Sequence, residues 1–279
     1  MSFFNSKLYK QKPQAWGPVS AVKASIFKNA ERIGIDPGII SRFVITWNPG
    51  NQIDYANGAI GTTVGATFDK NRLNFDGNAY VSFSPPWAAT DDPEYCTILV
   101  IASVPYAAST QHIFTWAKGT SPYNGYGLTV RPVSGSTLKL DTFWDTWGTN
   151  NSTFPTNAEI MLSTKTRKSV TGWVKTSVAG EPYRTIHSKN STSLATAPTQ
   201  NFFVGRYEGG AYIQNGGFVK LAAFLRTDVS DAQIAYLSDN PYALIQRVPT
   251  VFYSVPGGAV IPTFNPLFLN AAQPTRVIQ

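Results

Sequence analysis

Between Arg42 and Leu225 the chain is one short β-rich run after another. The runs are "RFVITW", "RLNFDGNAYVSF", "CTILVIASV", "QHIFTWA", "YGLTVRPV", "TLKLDTFW", "AEIMLSTK", "VTGWVKTSV", "NFFVGRY" and "FVKLAAFL". β-Branched and aromatic residues dominate them and often alternate with polar ones, the pattern of strands with one buried face. Turn formers separate them: Asn-Pro-Gly at 48–50, Asn-Gly at 57–58, Asp-Gly at 76–77, Ser-Gly at 134–135 and Asn-Gly-Gly at 215–217. No helical pattern alternates with the strands, which excludes helix bundles and barrels of the (β/α) type. Short strands at this spacing predict an all-β, two-sheet antiparallel sandwich.

The last run leads straight into "RTDVSDAQIAYLSDNPYALI". Ser230 and Gln233 form a capping box, so a short helix is predicted to start near Asp231. Ala232, Ile234, Ala235, Tyr236 and Leu237 give it an apolar side. Asp239-Asn240-Pro241 ends it, because proline disfavours helical geometry in the residue before it. Tyr242, Ala243, Leu244 and Ile245 make a second apolar turn. The helix is expected to plug an open end or edge of the sandwich.

Segments of different character flank the body at 38–246. Residues 1–37 form a basic arm, and its first 35 residues set six basic side chains (Lys7, Lys10, Lys12, Lys23, Lys28, Arg32) against Glu31 alone. Such an arm suits an acidic surface, but its basic residues are too sparse to single out nucleic acid. Within it Val22, Ile26, Ala30 and Ile33 recur at helical spacing, so a short helix is expected that needs a partner for its apolar face. Residues 247–279 hold five prolines and two arginines, which forbids a central strand and predicts an extended arm. Both arms carry apolar groups that a lone sandwich has no evident room to bury. They are expected to become ordered only against another subunit, with Lys7, Lys10, Lys12, Trp16, Phe252, Phe264 and Phe268 as anchors.

With 43% hydrophobic and 14% charged residues among 279, the composition is that of a globular protein. No run approaches the roughly 18 apolar residues of a membrane span. "MSFFNSKLYKQKPQAWG" lacks the apolar stretch of a signal peptide, so synthesis in a cytoplasm without export is expected. The one cysteine, Cys96, sits beside an apolar run and is expected to be a small buried residue.

The endings of the body are its most specific part. An "F-x-G-R" run leads to "G-F-V-K-L-A-A-F", then to "D-V-S-D-A-Q-I" and "S-D-N-P-Y-A-L-I". With "ISRFVITWNPGNQIDYANGAIGTTVGATF", "RLNFDGNAYVSF" and "YNGYGLTV", these motifs resemble a laminin-G-like, concanavalin A-like jelly roll. The terminator resembles copies of this domain in virion proteins of tailed bacteriophages. The likeness runs from about Pro37 to about Ile245, and the arms are outside it.

Some enzymes of this fold carry paired carboxylates two residues apart on one strand, facing one side. None of the 16 acidic residues forms that pattern. Asp91, Asp92 and Glu94 cluster in a Pro-flanked loop, and Asp141 and Asp145 are too far apart for hydrolase work. His112 and His187 lack a second cysteine or further histidine to build a zinc site. Asp76, in "FDG", suits a turn better than a calcium site. No metal and no cofactor are expected. A sugar site has better support. Trp144, Asp145, Trp147, Asn150 and Asn151 fall in one strand-to-loop stretch, and "SPYNGYG" adds Tyr123, Asn124 and Tyr126. Aromatic faces stack on sugar rings while Asp and Asn bond hydroxyls. The same tryptophans could fill the core or anchor a protein contact.

The resemblance thus implies a non-enzymatic structural protein of a phage particle, located on the virion. The role it favours is a capsid decoration protein held by its arms. A collar, tail or fibre component, or a carbohydrate-binding module that contacts the host surface, is the alternative. The expected partners are other virion proteins, the major capsid protein foremost, further copies of the chain and a host glycan. Neither a membrane nor a specific nucleic acid is expected.

Overall fold

In a strand alternate side chains face opposite ways, so each run can serve two neighbours at once. The computed structural model describes residues 19–46, 52–69, 72–83, 94–117, 125–144, 146–167, 172–179, 181, 184–189, 201–207, 210, 212–245, 252–253 and 261–262. The described elements begin with α1 (Val19–Arg32), β1 (Ile40–Ile45), β2 (Ile53–Asp54), β3 (Ala59–Ile60) and β4 (Thr62–Val64). Then come β5 (Thr67–Asp69), β6 (Arg72–Asn74), β7 (Tyr80–Phe83), β8 (Tyr95–Ser103) and β9 (Gln111–Ala117). Long hairpin strands follow: β10 (Gly125–Ser134), β11 (Thr137–Trp144), β12 (Thr146–Pro155), β13 (Ile160–Arg167), β14 (Gly172–Val178) and β15 (Arg184–Lys189). β16 (Phe202–Val204), β17 (Phe218–Leu225) and α2 (Asp231–Asp239) complete the body. β18 (Phe252–Tyr253) and β19 (Ile261–Pro262) pair only with each other among the described residues.

The strands make the predicted all-β sandwich of two antiparallel sheets. One sheet runs β15-β14-β13-β8-β17-β1-β2-β3, with β6 paired to β17 and β5 to β6. The other runs β12-β11-β10-β9-β16-β7-β4. Between them lies a core of Val44, Ile98, Val100, Ala222 and Phe224 from the first sheet and Val81, Phe114, Trp116, Tyr126, Leu128, Leu140 and Val204 from the second. Cys96 is buried in this core, as expected, and burial pushes its thiol up to about 12.

The larger sheet is apolar on its other face too. Phe43, Ile45, Leu99, Ile101, Met161, Leu221 and Ala223 point away from the sandwich and meet Val22, Ile26 and Ala30 of α1 and Ile234 and Leu237 of α2. This explains why β8 and β17 are near-continuous apolar runs: they are buried on both sides. α2 starts and stops as predicted, with both halves of the capping box formed. It does not plug an end or edge, however. It lies with α1 on the outer face of the larger sheet, because that face carries the apolar stripe that needs covering. α1 likewise finds its partner inside the chain, which corrects the expectation that residues 1–37 order only against another subunit. Gln233 Nε2 donates to the carbonyls of Ile33 and Gly34 at 3.0 and 2.9 Å, and Asn29 Nδ2 donates to Leu244 O at 3.1 Å. Lys165, 3% exposed, reaches Asp228 at 3.0 Å and Asp231 at 2.7 Å and ties the start of α2 to β13. No helix among the described residues is long and apolar enough to cross a membrane.

The stretch around Trp147 and Asn150, expected to run from strand into loop, is strand throughout in β12. β12 is the last strand of its sheet. An edge tolerates the Gly, Asn and Pro that a central strand rejects.

Candidate functional site

Among the described residues both helices pack on the outer face of the larger sheet, and neither packs on the smaller one. Ala79, just before β7, and Val81 and Phe83 within it are buried in the core, which turns Tyr80 and Ser82 outward. In β16 Val204 faces the core, and Phe203 lies opposite Ser82 of β7 and Thr115 of β9. Just past β16 the chain turns at Gly205, whose φ is +88°. A Cβ there would come within 2.2 Å of the Phe75 ring, so both conformation and space demand glycine. Gly205 N donates to Ile113 O, Ile213 N donates back to Gly205 O, and Arg206 bridges Tyr212. The loop is thereby closed on itself, and its ends are fixed to β9.

This closure gathers three rings around one cation. The Arg206 guanidinium carbon lies 4.5 Å from the Tyr80 ring centre, 5.4 Å from Tyr212 and 5.5 Å from Phe203. Tyr80 meets Phe203 edge-on at 5.9 Å and Tyr212 at 6.3 Å. Thr115 Oγ1 donates to Arg206 O at 2.5 Å, and Arg206 Nε donates to Tyr207 O at 3.2 Å. Arg206, Tyr80, Tyr207 and Tyr212 are half-buried, so their edges remain accessible. Next to them His112 stacks on Tyr207 at 4.8 Å, and burial lowers its pKa to about 4. Farther along, buried Asp141 pairs with Arg131 at 2.7 Å.

A concavity of about 300 Å³ opens beside the end of α2. Ile101, Ile160 and Met161 line it with Glu159, Asp239 and Tyr242. Lys220 Nζ lies 2.5 Å from Glu159 and 3.1 Å from the Tyr242 hydroxyl, which donates to Glu159. Burial, then that carboxylate, push the Tyr242 hydroxyl well above its usual range, the opposite of what a phenolate nucleophile needs. Among the described residues no three His, Cys, Asp or Glu side chains gather into a metal-binding group.

The residues chosen from sequence are placed differently. Tyr126 is 1% exposed, in T-shaped contact with Phe224 at 5.2 Å. It is a core residue and not a sugar contact, because it shares the inward side of β10 with Leu128 and Val130. Trp144 ends β11 and Trp147 lies near the start of β12, opposite Phe143 in the register, with Asn150 farther along β12. Tyr123, Asn124 and Asp145 are outside the described residues, as are Lys7, Lys10, Lys12, Trp16, Phe264 and Phe268. Phe252 begins β18. His187 is on β15. Asp76 accepts from Asn78 N at 2.9 Å, the turn expected of it. The Tyr80, Phe203, Arg206 and Tyr212 group was missed. The alternation in "AYVSF" was its one local signal.

No family model and no curated protein sequence matches the chain. Solved structures do share its fold. Trypanosoma rangeli sialidase in complex with 2-keto-3-deoxy-D-glycero-D-galacto-2,3-difluoro-nononic acid superposes with a TM-score of 0.57 at 11% identity, over 80% of this chain and 39% of that one. The receptor binding domain of botulinum neurotoxin C/D mosaic serotype gives 0.52 at 8%, over 73% and 52%. The ligand binding domain of botulinum neurotoxin serotype D, in complex with N-acetylneuraminic acid, gives 0.52 at 7%, over 73% and 51%. The chain thus spans about half or less of the length of each. At such identities the likeness establishes the fold, a β-sandwich.

These neighbours correct two expectations. A capsid decoration role was expected, but chains that share the fold include a sialidase and toxin binding domains, two of them in complex with sugar acids. A non-enzymatic protein was also expected, but the fold recurs in chains named as enzymes. The missing pattern of paired carboxylates bears on that one chemistry alone.

Proposed function

We propose that the chain is a glycan-binding module whose site is the outer face of the smaller sheet around Tyr80, Phe203, Arg206 and Tyr212. The observation that carries this is the Arg206 guanidinium held among three rings, on the sheet face that neither helix covers. Ring edges and faces offer apolar surface to the C–H side of a sugar. A guanidinium fixed by stacking presents its N–H donors in a set plane, which suits a carboxylate-bearing sugar. The sugar acids bound in two structural neighbours support the same class of ligand. A place on a phage particle, where the module would meet host-surface glycans, rests on the sequence resemblance and belongs to this proposal.

The test is a glycan array followed by calorimetry with sialylated and neutral oligosaccharides. Saturable binding of acidic glycans is expected, weakened at least about tenfold by Arg206→Ala and by Tyr80→Ala, with the fold kept by circular dichroism. Binding lost in Trp147→Ala but retained in Arg206→Ala would move the site to the β11–β12 hairpin. No glycan bound at millimolar concentration would overturn the proposal.

A further inference from the structure

The two long sides of the sandwich end differently. At one side β12 packs against β14 and β15 of the opposite sheet, so the two sheets close on each other. At the other, β3 ends the larger sheet and β4 ends the smaller one, and the chain passes from one to the other at Gly61. A Cβ at Gly61 would come within 2.8 Å of Val81 and Phe83, so the crossing hugs the core and leaves the edge outside. β4 pairs with β7 through Thr62–Ser82, Thr63–Val81 and Val64–Tyr80. Its second side faces no strand among the described residues.

β4 has only three residues, which itself limits pairing, but the edge lacks the other usual protections. Natural edge strands carry charges, prolines or bulges that stop them from pairing with another chain. Residues 59–68, "AIGTTVGATF", contain no charged residue and no proline. Thr62, Thr63 and Val64 are all exposed, and Ile60 and Val64, at 64% and 41% exposure, are large apolar side chains left in solvent.

We propose that this edge is a self-association surface, on which a second copy of the chain adds its own β4 antiparallel to the first. The pattern of the segment fits its own twin. With the twofold axis at Thr63, the two Thr63 residues face each other and Thr62 of each copy meets Val64 of the other. Farther out Gly61 falls opposite Gly65. A symmetric contact brings each residue of the axis onto itself, so any charge there would meet an equal charge. An uncharged edge is what such a contact needs, whereas an edge built for a basic or acidic partner strand would carry the opposite sign.

Three measurements on the full chain test this. Sedimentation equilibrium of the native protein is expected to show a monomer–dimer equilibrium at micromolar concentration. Thr63→Lys is expected to raise the dimer dissociation constant at least about tenfold, with the melting temperature of the dilute, monomeric protein unchanged. Thr63→Cys is expected to form a disulfide-linked dimer under mild oxidation. Directly opposed residues of an antiparallel pair have Cα atoms about 4.5–5.5 Å apart, within disulfide span. The native cysteine, Cys96, is buried and gives no background. A native protein that stays monomeric at 100 µM (roughly the upper range of such an equilibrium) would overturn the proposal. So would a dimer that neither Thr63→Lys weakens nor Thr63→Cys locks.

Discussion

The Arg42 guanidinium lies 2.9 Å from the Asp54 carboxylate, and both side chains are 0% exposed inside the sandwich. Arg42 shares the inward side of β1 with Val44 and sits 5.2 Å from the Phe202 ring and 5.8 Å from Trp116. Asp54 also accepts the amides of Phe43 at 2.8 Å and Ala56 at 3.1 Å. Desolvation pushes the carboxyl up and the guanidinium down from their ordinary values, against their mutual attraction.

Removing one partner therefore leaves a buried charge. Asp54→Ala is expected to cost about 3–5 kcal/mol in urea unfolding. The pair Arg42→Met with Asp54→Ala should cost less than Asp54→Ala alone. A double variant that is the worse of the two would show that Arg42 is held by other means.

His112 makes stability depend on pH. Its pKa falls to about 4 on burial, against an ordinary value of 6.5. Between those values the unfolded chain binds more protons than the folded one, so stability rises with pH. The contribution is complete above about pH 6.5 and is lost as pH falls through about 4, amounting to about 3 kcal/mol. Urea midpoints at pH 7 and pH 4.5 measure it. His112→Phe should flatten the difference.

The two ends of α1 should respond differently to truncation. Loss of residues 1–17 leaves α1 whole and is expected to leave a soluble, folded protein. Loss of residues 1–35 bares Phe43, Ile45, Leu221 and Ala223, and aggregation in light scattering is expected. An intact, monodisperse product of the longer deletion would refute the structural role of α1.

Gln233 serves two contacts at once, the cap of α2 and the carbonyls of Ile33 and Gly34. Ser230→Ala removes only the cap and should cost about 1 kcal/mol. Gln233→Ala should cost more than Ser230→Ala in the same thermal scan, because it also leaves the end of α1 unbonded.

The sheet interior was legible because alternation and turn residues act locally. "QHIFTWA", "TLKLDTFW" and "FVKLAAFL" coincide with β9, β11 and β17. The roof of helices was half legible. The spacing of Val22, Ile26 and Ala30 announced a buried face, but nothing local said which surface it meets. The doubly apolar runs of β8 and β17 hold that information, which period-two alternation alone does not reveal. The candidate site was not legible, because Tyr80 and Arg206 come together through pairing of β7 with β16, far apart in sequence. Tyr126 misled for the converse reason. Its neighbours Asn124, Gly125 and Gly127 look like a turn, but the tyrosine belongs to the inward side of β10.

Leu99 and Val100 are neighbours in β8, yet they belong to different apolar clusters, one under the helices and one inside the sandwich. Two cores divided by one sheet form two cooperative units that share a wall. The helical layer can open while the sandwich stays shut, whereas opening the sandwich frees the wall on which the helices rest. Amide hydrogen exchange should therefore be graded: faster in α1 and α2, slowest in β8 and β17, where release of a proton requires the whole body to unfold.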